Sequence, residues 1–125
     1  EELLADLDTR IDIDAATEVV GVAGTWTALS AIAHDLPAYD RAAVHMSSLG
    51  RLNLDRLVVA LAAKSLAETE AIPSLDPARA PVILGGAIVA RECMRRLGLS
   101  RVTVSEHDLL DGVLFAAADG AELAG

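Results

Sequence analysis

Between Glu18 and Ala23 the chain reads Glu-Val-Val-Gly-Val-Ala, a short valine-rich run that predicts a buried strand. Gly24 and Thr25 then turn the chain into an alanine- and leucine-bearing segment, predicted helical from Thr25 to Ala33 and closed off before Pro37. Upstream, Leu3, Leu4, Leu7 and Ile11 recur at helical spacing among acids, which predicts a helix over 1–11. Downstream, Ala38 to Arg41 reads as a loop running toward His45. Leu54, Leu57, Val58, Leu61 and Leu66 mark the apolar side of a second helical region over 49–66, with Asn53 or Asp55 as its candidate cap. Pro73, Pro77 and Pro81 make 68–81 a turn-rich connection. Val82-Ile83-Leu84 leads into Gly85-Gly86. A helix is predicted from Ala87 to Leu97, with Ala87, Ala90, Met94 and Leu97 in one stripe and Gly98 as its stop. Residues 101–105 alternate and predict a second strand. Glu106-His107-Asp108 is a turn, and Leu109, Leu110, Val113 and Leu114 mark a last helix over 109–118.

Strands joined by helical crossovers predict an α/β fold, helix-rich, with two strands. Two strands make too small a sheet to stand alone. The opening at Glu1 also looks like the middle of a helix, so the chain is expected to be a piece of a longer protein.

Composition sharpens this picture. The chain has 125 residues, 53% of them hydrophobic and 23% charged, which is the composition of one globular domain. Mean hydropathy is high, +0.41, and hints at surface that meets another domain or subunit. No apolar run approaches the ~18 residues of a membrane span. The net charge of −9 argues against general nucleic-acid binding. The basic residues are unevenly placed, however. Arg79, Arg91, Arg95, Arg96 and Arg101 face only Glu92 between 79 and 101, which keeps an anionic ligand in view. The lone Cys93 excludes an internal disulfide and fits a reducing cytoplasm. His34, His45 and His107 lack partners at metal-ligand spacing, and no nucleophile elbow is present.

The chemistry then concentrates on a few positions. A strand that turns through glycine into a helix leaves orphan N–H donors and a positive dipole end, which suit a phosphate. Gly24 and Thr25 are therefore phosphate-binding candidates; equally, Gly24 serves a tight turn and Thr25 caps the helix. Gly21 reads as a close-packing position. Arg79 is a candidate for phosphate because its fork grips two oxygens at once, or else a surface arginine after a proline turn. Gly85 and Gly86 are candidate cleft-lining positions, or close helix–strand packing. Glu106, after a strand end, is a further cleft-lining candidate, or a helix N-terminal acid. Trp26 is expected to pack in the core or at a domain interface.

Four blocks together carry a family resemblance. Residues 20–25 with Thr27-Ala28-Leu29 resemble the glycine-rich strand–turn–helix of the Ppx/GppA family, the exopolyphosphatases and guanosine pentaphosphate phosphatases. Leu36-Pro37-Ala38-Tyr39-Asp40 with Val44-His45 resembles the family's next block. Ala78-Arg79-Ala80, Val82-Ile83 and Gly85-Gly86-Ala87-Ile88-Val89 resemble its Arg-Ala-Asp-Val-Ile block and following helix. Residues 102–112 resemble its C-terminal strand and helix. Two positions depart from the pattern: Pro81 stands where the family has aspartate, and Leu110-Asp111-Gly112 where it often has Arg-Glu-Gly.

The resemblance implies the later part of a ribonuclease-H-like domain of the actin-like ATPase superfamily, with residues 1–125 a partial second domain. It implies a parent hydrolase acting on terminal phosphate of polyphosphate or guanosine pentaphosphate. A catalytic glutamate and an Asp-Ile-Gly-Gly-Gly-Ser hairpin that holds phosphate and a divalent ion (Mg) would come from segments this chain does not contain. The piece alone is then expected to be inactive, to hold no metal ligand, and to work beside an N-terminal domain, with a homodimer as the expected assembly. The resemblance favours a phosphate role for Gly24 and Thr25. The competing reading is a non-catalytic nucleotide-sensing or subunit-assembly module.

Overall fold

The computed structural model describes residues 18–107. The helices expected over 1–11 and 109–118 lie outside the described residues. Within them the chain forms β1 (Val20–Gly21), α1 (Ala23–Ala33), α2 (Arg41–Val44), β2 (Ser47–Gly50), α3 (Arg51–Ala62), α4 (Leu66–Glu70), a 3-10 turn (Pro77–Arg79), α5 (Ala80–Arg96) and β3 (Arg101–Val104). The sheet order is β1-β3-β2. β3 pairs parallel with β1, Gly21 facing Val104, and antiparallel with β2, Leu49 facing Val102.

Strand alternation decides which face meets the helices. Leu49, Val102 and Val104 are fully buried, whereas Val20, Ser48 and Arg101 are exposed. On the inner face they join Leu29 and Ala31 of α1, Leu54 and Leu61 of α3, and Ile83, Ala87, Ala90 and Met94 of α5 in one core. Each fully buried leucine contributes about 1.5–3 kcal/mol. One polar chain crosses this core: the Ser30 and Ser47 hydroxyls lie 2.5 Å apart, and Ser47 donates to the Val44 carbonyl at 2.6 Å. The burial of Ser30 is thereby satisfied.

α5 ends as its sequence predicts. Gly98 takes φ +65°, Leu99 N–H donates to the Met94 carbonyl and Gly98 N–H to that of Arg95. This is the paired bonding of a Schellman cap. α1 ends the same way with Asp35 in the left-handed position, φ +52°.

Other expectations are corrected. The sheet has a third strand, β2, inside the region read as helix from 49. Ser47-Ser48-Leu49-Gly50 has no strand propensity of its own, and pairing with β3 makes it a strand. α3 accordingly starts at Arg51 with Gly50 at the cap position, not Asn53 or Asp55. The helix assigned to 87–97 begins at Ala80, so Gly85 and Gly86 lie inside α5 rather than at its start. Pro81 sits in its first turn, where a missing N–H costs nothing. The first strand is two residues long, and α1 begins at Ala23 with Val22 as its cap residue, so Thr25 does not cap it.

Candidate functional site

A cleft of about 550 Å³ opens beside the start of α1. Its wall includes Gly24 and Thr27 of α1, Tyr39 of the α1–α2 loop, Asp76 just before the 3-10 turn and Arg79 within it, and Glu106 just past β3. Segments far apart in sequence therefore converge at the carboxyl ends of the parallel strands β1 and β3, the ligand-binding end of α/β sheets.

Each residue is placed by local chemistry. The Asp76 carboxylate accepts from Ala78 N–H at 3.0 Å and caps the 3-10 turn, with Pro77 at its first position. That turn delivers Arg79 to the cleft. The Arg79 guanidinium lies against Gly24, so that a Cβ on Gly24 would overlap it. Only glycine lets the first turn of α1 pass this close. The α1 N-terminus has no side-chain cap and no acid in its first turn. Its first residue, Ala23, takes φ +70°, left-handed backbone at the cleft wall. A cation thus sits at the positive end of a helix, an arrangement that costs about 0.3–1 kcal/mol without an anion between them. Arg79 has no ion-pair partner among the described residues.

Across the cleft the Tyr39 hydroxyl donates to Glu106 Oε1. Glu106 N–H donates to His45 Nδ1 at 3.2 Å, which fixes the strand end and places the His45 ring proton, in the neutral form, on Nε2. The His45 ring in turn lies 4.5 Å from that of His107, centre to centre. Partial burial first, and then the bond to Glu106, push the Tyr39 phenol above its ordinary 10.0; the nearby Thr27 hydroxyl pulls the other way. The neutral phenol is the form the fold favours. Its contribution to stability is therefore present below pH 10.0 and lost as pH rises through the elevated folded value. Tyr39 is the chain's single tyrosine, so tyrosinate absorbance reports it directly. Its midpoint is expected above 10.0, and Glu106→Gln is expected to lower it; an unchanged midpoint in the variant would mean the pair does not form.

Of the sequence candidates, Gly24, Arg79 and Glu106 line the cleft together. Thr25, Gly85 and Gly86 do not. A Cβ on Gly86 would fall 2.8 Å from Thr25 Cγ2, so these two residues seat α1 against α5. Gly85 has no neighbour that a Cβ would meet. Sequence reasoning missed Tyr39 and Asp76. The Asp-Pro pair at 76–77 is a turn-cap signal, and a lone tyrosine ahead of the Asp40 cap was the other available clue. A second hollow of about 660 Å³ lies on the outer sheet face, where Arg101 is accompanied by Glu18.

No family model matches the chain. It is 41% identical over 112 residues to exopolyphosphatase 2 of Mycobacterium tuberculosis, a match covering 86% of this chain and 35% of the relative. The crystal structure of an exopolyphosphatase-like protein superimposes with a TM-score of 0.80 at 26% identity, over 95% of this chain and 42% of that one. The chain belongs to the Ppx/GppA family. The Aquifex aeolicus Ppx/GppA family member gives a TM-score of 0.78 at 21% identity, over 98% of this chain and 41% of that one. This Ppx/GppA chain thus spans about a third of the length of the Mycobacterium tuberculosis relative. Its fold is that of the Ppx/GppA structures on which it superimposes, helix-rich with a small mixed sheet.

The described residues do not fit a divalent cation. No three His, Cys, Asp or Glu side chains gather among them. The two cleft carboxylates named above are engaged by Ala78 N–H and the Tyr39 hydroxyl. No helix among the described residues is long and apolar enough to cross a membrane.

Proposed function

We propose that this chain forms one wall of a phosphate-binding cleft in a phosphatase, and that residues 1–125 are part of its second domain. The substrate would be inorganic polyphosphate or guanosine pentaphosphate. Water attacks the terminal phosphorus and gives its proton to the general base, the bridging P–O bond breaks with its electron pair staying on the shortened phosphate chain, which is the leaving group, and the transferred phosphoryl group becomes orthophosphate. In this reading Arg79 and the N–H groups of the first turn of α1 hold phosphate oxygens, neutralising charge without taking part in proton transfer. The general base and the divalent cation come from segments outside this chain, in a cytoplasmic enzyme.

The observation that carries the proposal is the Arg79 guanidinium resting on Gly24, over a helix N-terminus with neither cap nor acid. Two positive fields converge on one point, and a phosphate between them relieves the conflict.

Gly24→Ala tests this. The added methyl displaces the flexible guanidinium rather than backbone, so stability should change by less than about 1 kcal/mol. Affinity of the full-length protein for inorganic tripolyphosphate, by calorimetry, should fall about tenfold, as for a lost charge-assisted contact. Unaltered affinity would refute the assignment.

A joining role for the same chain is the second reading. It rests on exposed Leu52 and Val59 of α3 and Val82 and Val89 of α5, two helices that pack together.

A further inference from the structure

The cleft contains a conflict of charges that the phosphate reading leaves unexplained. Two carboxylates, Asp76 and Glu106, share its wall with Arg79. A carboxylate free to reach the guanidinium would compete with any incoming anion. Asp76 is held by its own turn, accepting from Ala78 N–H at 3.0 Å. Glu106 has no such local partner. Its main chain is tied to His45, and its carboxylate accepts from the Tyr39 hydroxyl, sixty-seven residues away in sequence.

The Tyr39 hydroxyl also lies beside Thr27, whose own hydroxyl bonds the carbonyls of Ala23 and Gly24 at 3.3 and 3.2 Å. The Tyr39–Glu106 pair is therefore stationed about one helical turn, ~5 Å, along α1 from the Gly24 backbone that carries the guanidinium. Glu106 and Arg79 line the same cleft, with no other described carboxylate there but the turn-bound Asp76.

We propose that Tyr39 is a positioning residue: by holding the Glu106 carboxylate on its hydroxyl, it prevents an internal Glu106–Arg79 ion pair and keeps Arg79 available to a phosphate oxygen. The inference rests on the phosphate reading of the cleft and adds to it. Tyr39 touches neither the phosphate nor the reacting atoms. It acts through Glu106, and the site it protects recognises an anionic phosphate chain through Arg79.

The test is a double-mutant cycle on the full-length protein, with inorganic tripolyphosphate binding read by calorimetry and Arg79→Ala as the reference. Tyr39→Phe keeps the ring and removes only the hydroxyl. It should weaken binding about fivefold, the factor expected of a competing exposed ion pair. Glu106→Gln should bind more tightly than the unaltered protein, because it removes a negative charge from an anion cleft. The double variant Tyr39→Phe with Glu106→Gln should match Glu106→Gln alone, since a neutral amide no longer competes for Arg79.

A Tyr39→Phe loss that Glu106→Gln does not rescue would overturn the proposal, because the tyrosine would then act by direct contact or by packing. Unchanged binding in Tyr39→Phe, with binding lost in Arg79→Ala, would also overturn it while leaving the phosphate cleft standing. If Arg79→Ala binds as the unaltered protein does, the phosphate reading itself fails, and this inference with it.

Discussion

Arg79→Ala is expected to weaken binding of inorganic tripolyphosphate to the full-length protein by about 10- to 100-fold, the loss of one charge-assisted contact of ~1.5–3 kcal/mol. The melting temperature should hardly move. Arg79 is exposed and has no ion-pair partner among the described residues, so the fold gains little from its charge. Arg79→Lys should recover only part of the affinity. A point charge on a flexible stem restores the Coulomb attraction but not the two-pronged grip. Equal loss in the Lys and Ala variants would mean that shape rather than charge is recognised. Calorimetric titration at two salt concentrations separates these outcomes, because the charge component weakens as screening rises.

Gly21→Ala is the substitution with the largest expected cost to stability among those that alter no cleft side chain. A Cβ there would fall 2.7 Å from Trp26 Cδ2, 2.8 Å from Trp26 Cγ and 3.1 Å from Val102 Cγ1. The indole is packed against the core, and Val102 is buried in the central strand, so neither can swing aside as a surface side chain does. Overpacking of this kind costs about 1–3 kcal/mol. Chemical denaturation followed by Trp26, the chain's single tryptophan, measures it directly. The fluorescence of the folded state should also shift, since the ring must move. Gly24→Ala makes the contrast: similar chemistry three residues later, but with a mobile guanidinium as the neighbour instead of a packed ring.

That contrast also measures what could be read from the residues alone. Gly21 as a packing position follows from a glycine inside an apolar strand, and the indole over it is the packing partner. Gly98 as the stop of α5 follows from helix-end chemistry, which is local. β2 could not be read, because Ser47 and Ser48 become strand residues only through β3, more than fifty residues later. The start of α5 was obscured by Pro81 and by Gly85-Gly86, residues that punctuate a sequence but are tolerated here. Pro81 lies in the first turn. Gly86, which costs about 1 kcal/mol relative to alanine inside a helix, lets Thr25 pack closely. The single helical region expected over 49–66 instead ends at Ala62, and Ser65 and Glu68 form a capping box that starts α4 as a separate helix.

The candidate site divides the same way. Gly24 and Arg79 each stood out by residue type, one as a turn glycine before a helix and the other as an arginine in a basic stretch. Their contact did not, since it depends on the 3-10 turn crossing the start of α1. Glu106 was named from its place after a strand. Its partner Tyr39 reads from sequence as loop, because nothing in a sequence says that a hydroxyl will meet a carboxylate sixty-seven residues away. His45 likewise shows in sequence only as a histidine without partners at metal-ligand spacing, because its hydrogen bond to Glu106 N–H exists only where β3 ends beside it.

In the proposed cleft the Gly24 turn and Arg79 form one anion-binding point. A crystal structure of the full-length protein with inorganic tripolyphosphate tests it most directly. Phosphate oxygens are expected within hydrogen-bonding distance, about 2.7–3.2 Å, of both the Arg79 guanidinium and a backbone N–H in the first turn of α1. Tripolyphosphate bound elsewhere, with this cleft holding no phosphate and Arg79 unmoved, would contradict it.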